Sequence, residues 1–393
     1  MAATEWGYKM SLADSLKSGD DKRVGSKLIM DMAEALVARG VDAEDIGRLA
    51  RLKVNSSEWQ NLTKDADGEA HLHDLRGIKL SAEWYTEPEW PVVQQAQPIK
   101  YTPAKTRSVN GSKQTVIFPD QQYGFRRVDG ELIPCHDRDA IGVSLAVAKA
   151  IKPDKITNLG DLVDLPEWSL KFTVTPELVE TTQPALDEAH RDLTQQREIC
   201  DDIEILEGNH DDRLAIAVTA NARSALRLRK AGTTPDTWPV LSLPYLLRLD
   251  ELGITYHDGY PANRTKIANG NDEQTPLYAV HGEALDMMKL AKQSRQSYIQ
   301  GHIHRRASFT ETFEIDGRPT MVTAMTPGCL CRIDGAVPST KSAKTRKRPL
   351  TRWENWQQGM AVITEWDDGD WAAEIIPIHR GRALYRGRTF DAA

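Results

Sequence analysis

Nowhere in the 393 residues is there an apolar run near the roughly 20 residues that a membrane helix requires, and the first 23 residues contain none of signal-peptide length. Both absences favour a cytoplasmic protein with no membrane partner. Cysteine is scarce: Cys135, Cys200, Cys329 and Cys331 are too few and too scattered for a disulfide framework in a chain this long. Cys329 and Cys331 read as two neighbouring free thiols at a strand end, with metal binding as the alternative. A basic surplus is missing as well. The net charge of -7 argues against a protein that coats nucleic acid through bulk electrostatics, so any such role must fall to a local patch. No internal repeat is visible.

What is present is an ordinary globular composition, 40% hydrophobic and 27% charged, able to bury a substantial core in more than one domain. Residues 1–23 are polar and read as a flexible start. Residues 24–85 read as a small helical domain. Leu28, Ile29, Met32, Leu36 and Val37 recur at helical spacing before Gly40, and Asp42 can cap a second helix with Ile46, Leu49 and Leu52. Ser56 or Ser57 can start a third that carries Trp59, and a turn at Asp67-Gly68 then separates two strand-like stretches. Three helices and a hairpin suit a winged helix-turn-helix, and equally any small helical cap. Residues 86–113, rich in Pro, Gln, Thr and Ser, read as a linker.

From residue 114 to 393 the pattern alternates strand and helix: strand 115–119, helix 138–151, strand 155–159, helix 184–198, strand 203–207. This is α/β wiring, with helices packed on a sheet. Strands near 253–257, 277–281 and 297–301 follow, then hairpins turning at Asp316-Gly317 and Asp368-Gly369. Five of the strand-like runs end in polar residues: VIFPDQQ (116–122), ITNLGDLVD (156–164), IEILEGNHD (203–211), LYAVHGE (277–283) and YIQGHIHR (298–305). Ligand sites of open α/β sheets gather beyond the carboxyl ends of strands, so these loops can converge. They would bring together Asp120, Gln122, Asp161, Asp164, Asn209, His210, His281, His302 and His304. Carboxylates, imidazoles and amides without thiolates suit two hard or borderline divalent cations. Gly-Asp alone commonly makes a turn and a lone histidine is commonly core; the weight lies in four of ten histidines falling at strand ends in this order. In an extended segment His302 and His304 would point to the same side.

The ordered set of an Asp-led loop, GDxxD, GNHD, HG and GHxH, over about residues 114–335, resembles the calcineurin-like metallophosphoesterase superfamily. The resemblance implies a four-layer α/β/β/α sandwich around a dinuclear metal centre. It also implies that Asp120, Asp161 and His304 hold a first metal, and that Asp161, Asn209, His281 and His302 hold a second. His210 would be the proton donor beside the leaving group, and Asp164 the carboxylate that orients it. The sequence departs from the family at one ligand, where Asp120-Gln121-Gln122 stands for the usual D-x-H. An amide oxygen is a weaker, harder ligand than imidazole, so the first metal should bind less tightly and lean toward Mn or Mg. Manganese is the first expectation, with iron, zinc and magnesium as alternatives. His136 could replace the missing imidazole; a loop histidine beside a helix-capping Asp137 is the plainer reading.

Three substrate readings follow. The first is a nuclease or phosphodiesterase on nucleic acid, supported by the helix-turn-helix pattern, the basic run KSAKTRKRPLTR (341–352), and Trp353 and Trp356 beside it. The second is a phosphatase or phosphodiesterase for small nucleotides. Protein phosphatases of the superfamily carry GDxVDRG, which GDLVDLP fits poorly. The third is a DNA-binding scaffold with a degenerate phosphoesterase domain, favoured only by Gln122. DNA hydrolysis is the leading expectation.

Overall fold

The computed structural model describes residues 36–38, 49–64, 69–84, 97, 99–102, 111–171, 173–338 and 354–392. The chain divides into a unit of residues 1–96 and a unit of residues 97–393. Expectations for residues 1–23, for the first helix apart from residues 36–38, for the start of the second, and for the basic run 341–352 with Trp353 lie outside the described residues.

In the first unit, β1 (Leu49–Lys64) pairs antiparallel with β2 (Ala70–Trp84). This corrects the helical reading: Leu49 and Leu52, expected on the second helix, and the whole expected third helix around Trp59 are strand. The reason is the partner. Spacing of three between Leu49 and Leu52 fits a helix, but β2 sets Ala82 opposite Leu52, Leu80 opposite Val54 and Leu72 opposite Leu62. Continuous backbone pairing with a partner strand overrides a weak local helical pattern. The turn expected at Asp67-Gly68 lies outside the described residues. Among the described residues no three-helix motif is present.

The second unit begins with β3 (Ser112–Phe118), the hairpin β4 (Phe125–Val128) and β5 (Glu131–Pro134), and α1 (Arg138–Ile151). It continues through β6 (Lys155–Asn158), α2 (Thr182–Ile199), β7 (Ile203–Leu206), α3 (Arg213–Asn221) and β8 (Thr255–His257). Then come β9 (Thr265–Ala268), β10 (Leu277–Val280), α4 (Met287–Ser294), β11 (Ser297–Gln300) and the hairpin β12 (Arg306–Ile315) and β13 (Arg318–Pro327). The last strands are β14 (Gly359–Trp366), β15 (Trp371–Pro377), β16 (Arg382–Tyr385) and β17 (Arg388–Asp391). The helix expected at 138–151 coincides with α1, and both expected Asp-Gly hairpins are present.

Helix α1 shows why. Asp137 accepts a hydrogen bond from Ala140 N at 3.0 Å, satisfying one orphan donor of the first turn. Ile141, Val143, Ser144, Val147 and Ala148 then recur on one buried stripe. The chain leaves the helix at Lys152 in a left-handed conformation, φ 53°.

Two sheets carry the unit, one of six strands in the order β15-β14-β3-β6-β7-β8 and one of five in the order β12-β13-β11-β10-β9. Strands β3, β6, β7 and β8 are parallel, as are β10, β11 and β13. Parallel strands buried on both faces read as short continuous apolar runs, as Val116–Phe118 does. One core cluster joins Val116, Phe118 and Ile156 to α1 and α2. A second draws Ile117, Leu159, Leu206 and Ile363 from the six-stranded sheet and its loops together with Leu277, Ile299 and Val322 from the five-stranded one, and includes Met287, Met288 and Ala291 of α4. Ile99 and Tyr101, within the expected linker, pack against the first cluster. The carboxyl ends of β3, β6, β7, β10 and β11 all run into the loops singled out in the sequence. Among the described residues no helix is long and apolar enough to cross a membrane.

Candidate metal centre

The sheet places the acidic loops and the main chain then locks them together. Gln122 N donates to Asp161 O at 2.9 Å and Tyr123 N to Leu162 O at 2.8 Å, stitching the loop after β3 to the loop after β6. His210 N donates to Asp161 Oδ1 at 2.8 Å, which ties in the loop after β7. His302 N donates to Asp120 Oδ1 at 2.9 Å, which ties in the loop after β11. These four motifs thus supply side chains to the site and are held to one another through main-chain groups.

Two sets of donor atoms result. Asp120, Asp161 and His304 form one, and Asp161, His281 and His302 the other; within each set the ligand atoms lie within 4.8 Å of one another. Asp161 belongs to both. Asn209 Oδ1 joins the second set, 2.8 Å from His302 Nδ1 and 3.2 Å from His281 Nε2. Gln122 lies at the first, its Nε2 3.5 Å from both Asp161 Oδ2 and His304 Nε2. His302 and His304 do not share a side, contrary to the expectation from an extended strand. Both adopt left-handed backbone, φ 67° and 55°, and the turn sends His302 to Asn209 and His304 to Asp120.

Backbone strain is concentrated here. Of the nine residues singled out, Asp120, Gln122, Asp161, His302 and His304 have positive φ, between 38° and 67°. Each such conformation costs a non-glycine residue on the order of 1–3 kcal/mol and persists only where the surroundings over-determine it. The glycines of the motifs serve close approach. A methyl group on Gly208 would overlap Asp161 N and Oδ1, and one on Gly301 would stand 2.7 Å from Asp120 Oδ2. Gly208 has no positive φ, so its role is room for Asp161 and not freedom to bend.

The donor chemistry fits cations. His281 Nδ1 lies 2.9 Å from the Leu159 carbonyl, which fixes the proton on that nitrogen. Its Nε2 faces Asn209 Oδ1 at 3.2 Å and Asp161 Oδ1 at 3.3 Å, both acceptors. Two oxygen acceptors facing one ring nitrogen call for positive charge between them, whether a proton on Nε2 or a cation. Gln122 Oε1 is buried without a partner, and half a turn of the amide would bring that oxygen about 3.5 Å from Asp161 Oδ2 and His304 Nε2. The titration directions agree. Burial works against charge on His281, but Asp161 overcomes it and raises the imidazole to about 9; Asp120 does the same for His304, also to about 9. Burial and the neighbouring His281 push His302 down to about 4, which favours its neutral form. Burial would raise Asp161, yet His210 and His281 hold it well below the usual carboxylate range.

His210 stands apart from both donor sets. Its Nδ1 is 2.5 Å from Asp164 Oδ1, and its Nε2 is 3.7 Å from Asp161 Oδ2. Asp164 is fully buried and also bonded by Arg213, 3.1 Å away. Burial would raise its carboxyl; the hydrogen bond from His210 and the charges of His210 and Arg213 hold it below its ordinary value. This arrangement orients the imidazole. His136 is turned elsewhere, its Nε2 2.8 Å from Glu188 Oε1, and does not take the place of Gln122.

Three neighbours escaped the sequence reading, and Trp356, expected only as an aromatic beside the basic run, joins them. Asp211 accepts from Gly208 N at 2.9 Å, Leu162 N at 3.2 Å and Val163 N at 3.0 Å, clamping two motif loops; burial and nearby Asp161 raise its carboxyl to about 7. Arg213 anchors Asp164. Tyr260 meets His281 edge-on at 5.6 Å, and Trp356 meets His304 at 4.2 Å. The first Asp of GNHDD is visible in the sequence, but only the fold shows that it bonds the amides of the GDLVD loop.

No family model matches the chain. It is similar to the gene 54 proteins of Mycobacterium phage L5, 24% identical over 293 residues, and Mycobacterium phage D29, 24% identical over 294 residues. Each alignment covers 71% of this chain and 99% of the relative. Among solved structures it is similar to Yfce, a phosphoesterase from E. coli, with 10% identity, 67% of this chain and 98% of that one covered, and a TM-score of 0.28. It is also similar to TT1561 of Thermus thermophilus, with 11% identity, coverage of 56% and 90%, and a TM-score of 0.21. The side chains of the site, and not these distant likenesses, carry the function proposed for the chain.

Proposed function

We propose that the chain is a metal-dependent phosphoesterase of the calcineurin-like kind, with its two sheets and flanking helices forming the α/β/β/α sandwich. The observation that carries the proposal is the pair of donor sets sharing Asp161, beside a histidine held on a buried carboxylate. Asp120, Asp161, His304 and Gln122 would hold one divalent cation; Asp161, Asn209, His281 and His302 would hold the other. When bound, such a pair supplies an activated water and Lewis-acid polarisation of the phosphoryl oxygens. The anionic Asp161 between the sets reduces repulsion between the charges they hold. Asn209 offers a neutral oxygen, while adjacent His210 keeps out of both sets and can deliver a proton from Nε2 to the leaving oxygen. Asp164 and Arg213 keep the His210 ring in register for that transfer. Manganese is the preferred cation because Gln122 offers a harder donor than imidazole.

Phosphodiesters of nucleic acid are the substrate class we place first. Support for this comes from the basic run 341–352 in the sequence and from Trp356, half-buried at the first donor set. The test is one panel of Mn-loaded protein offered bis-(p-nitrophenyl) phosphate, the corresponding monoester, single-stranded DNA, duplex DNA and cyclic nucleotides. Hydrolysis of the diester and of DNA is expected. Monoester turnover with inert diester and DNA would remove the nuclease reading, and inertness toward every phosphoester would remove the phosphoesterase reading itself.

A further inference from the structure

Cys135, Cys329 and Cys331 share a small apolar cluster with Val337, flanked by Ile333 and Trp356. His304 borders it, and the two nitrogens of its ring face different chemistry. Nε2 lies 3.1 Å from Asp120 Oδ1, whereas Nδ1 lies 3.8 Å from Cys331 Sγ. His304, Cys329 and Cys331 offer ligand atoms that all lie within 4.8 Å of one another, and all three residues are buried. Cys135 is turned away, with its Sγ bonded to the Ala336 carbonyl at 3.6 Å. Two thiols and an imidazole make a soft donor set, suited to Zn, Cd or Cu(I), next to a hard set of carboxylates suited to Mn or Mg.

We propose that Cys329, Cys331 and His304 Nδ1 form a binding site for a soft, thiophilic cation, and that this site competes with the phosphoesterase centre for His304. The competition follows from the imidazole itself. A neutral ring has one lone pair and one N–H. A cation on Nδ1 leaves the proton on Nε2, facing Asp120, and withdraws an acceptor from the set of Asp120 and Asp161. A cation on Nε2 leaves the proton on Nδ1, where Cys331 Sγ receives it as the outer partner that orients the ring. Occupation of the soft site releases the two thiol protons to solvent and needs no redox partner. A hard cation and a soft one therefore select opposite tautomers of one side chain. The competition rests on the reading of His304 as a ligand of the phosphoesterase centre; the soft site itself does not.

Two measurements on the full chain separate the soft site from the competition. The chelator-stripped protein is titrated with Co(II) and followed by near-ultraviolet absorption. A thiolate-to-cobalt charge-transfer band is expected in the wild type and in Cys135→Ser, and its loss in Cys331→Ser and Cys329→Ser. A wild type with no such band overturns the site. Mn-loaded protein is then given one equivalent of Cd(II), desalted and analysed for bound manganese. The wild type is expected to lose one of its two manganese ions and Cys331→Ser to lose none. A thiolate band with both manganese ions retained overturns the competition and leaves the proposed function standing. A chain that shows the band but never binds manganese supports the soft site and overturns both the competition and the dinuclear reading.

Discussion

Replacing Gly208 by alanine tests whether the glycine of GNHD is there to let Asp161 in. The added methyl would overlap Asp161 N and Oδ1 and lie 3.0 Å from Asp161 Cα. Carbon atoms in ordinary contact stand about 3.5–4.0 Å apart, so the loop after β6 or the loop after β7 must retreat by about 1 Å. Neither loop is free to yield, because Asp211 holds both through Gly208 N, Leu162 N and Val163 N. Overpacking of a well-filled site costs about 1–3 kcal/mol, which for a unit of this size lowers Tm by roughly 2–12 °C. The functional loss should be larger in proportion, since misplacing a reacting group by about 1 Å can cost about 10²-fold in rate. Thermal unfolding, equilibrium dialysis against Mn and hydrolysis of a chromogenic diester read the three consequences separately. Gly142→Ala is the control: it lies inside α1 with nothing within 4 Å of the added carbon, and should be neutral or stabilising by about 0.5–1 kcal/mol. A Gly208→Ala protein with wild-type Tm, manganese content and rate would refute the close-approach argument.

Other consequences can be checked as directly. His210→Gln should lower the diesterase rate by about 10²–10⁴-fold while bound manganese stays at its wild-type level, because the ring belongs to neither donor set; loss of metal together with rate would contradict its role as proton donor. Gln122→His should raise manganese affinity at the first set, read by dialysis at limiting metal, and an unchanged isotherm would remove the weak-ligand argument. Burial alone would raise the Glu188 carboxyl, but hydrogen bonds from His136 and Arg138 hold it at about 2. A depressed carboxylate contributes stability above its unfolded pKa of about 4.3 and loses it as pH falls toward 2. At most about 3 kcal/mol should disappear across that window, reduced by solvent screening at the exposed Arg138 side chain. Glu188→Gln should flatten the acid limb of a stability-versus-pH curve, and an unaltered limb would show that the pair contributes nothing.

Much of this arrangement can be read in the sequence, because parallel strands buried on both faces announce themselves as short apolar runs and ligands follow them directly. Asp120, Asp161, Asn209, His281 and His302 each stand one to three residues beyond a strand end. The N-terminal unit is where local pattern misleads: Leu49 and Leu52 are compatible with a helical stripe, and only their β2 partners Trp84 and Ala82, far along the chain, select the strand. The left-handed turns of His302 and His304 were equally hidden, since alternation assumes extended backbone and a Gly-His-Ile-His run carries no mark of two positive φ angles. Distance in sequence hid the rest. Asp211 acts on amides about 50 residues away, and Cys331 meets His304 only because β12 and β13 fold back as a hairpin.

In the proposed function one carboxylate, Asp161, joins two cation sites that together hydrolyse a phosphoester. Metal analysis of the Mn-saturated, desalted protein alongside Asp161→Asn, with diester turnover measured on the same samples, tests it most directly. Two manganese ions per chain with turnover are expected in the wild type, and loss of both ions and of activity in the variant. A wild type that retains no divalent metal, or an Asp161→Asn protein that keeps both ions and its rate, would contradict it.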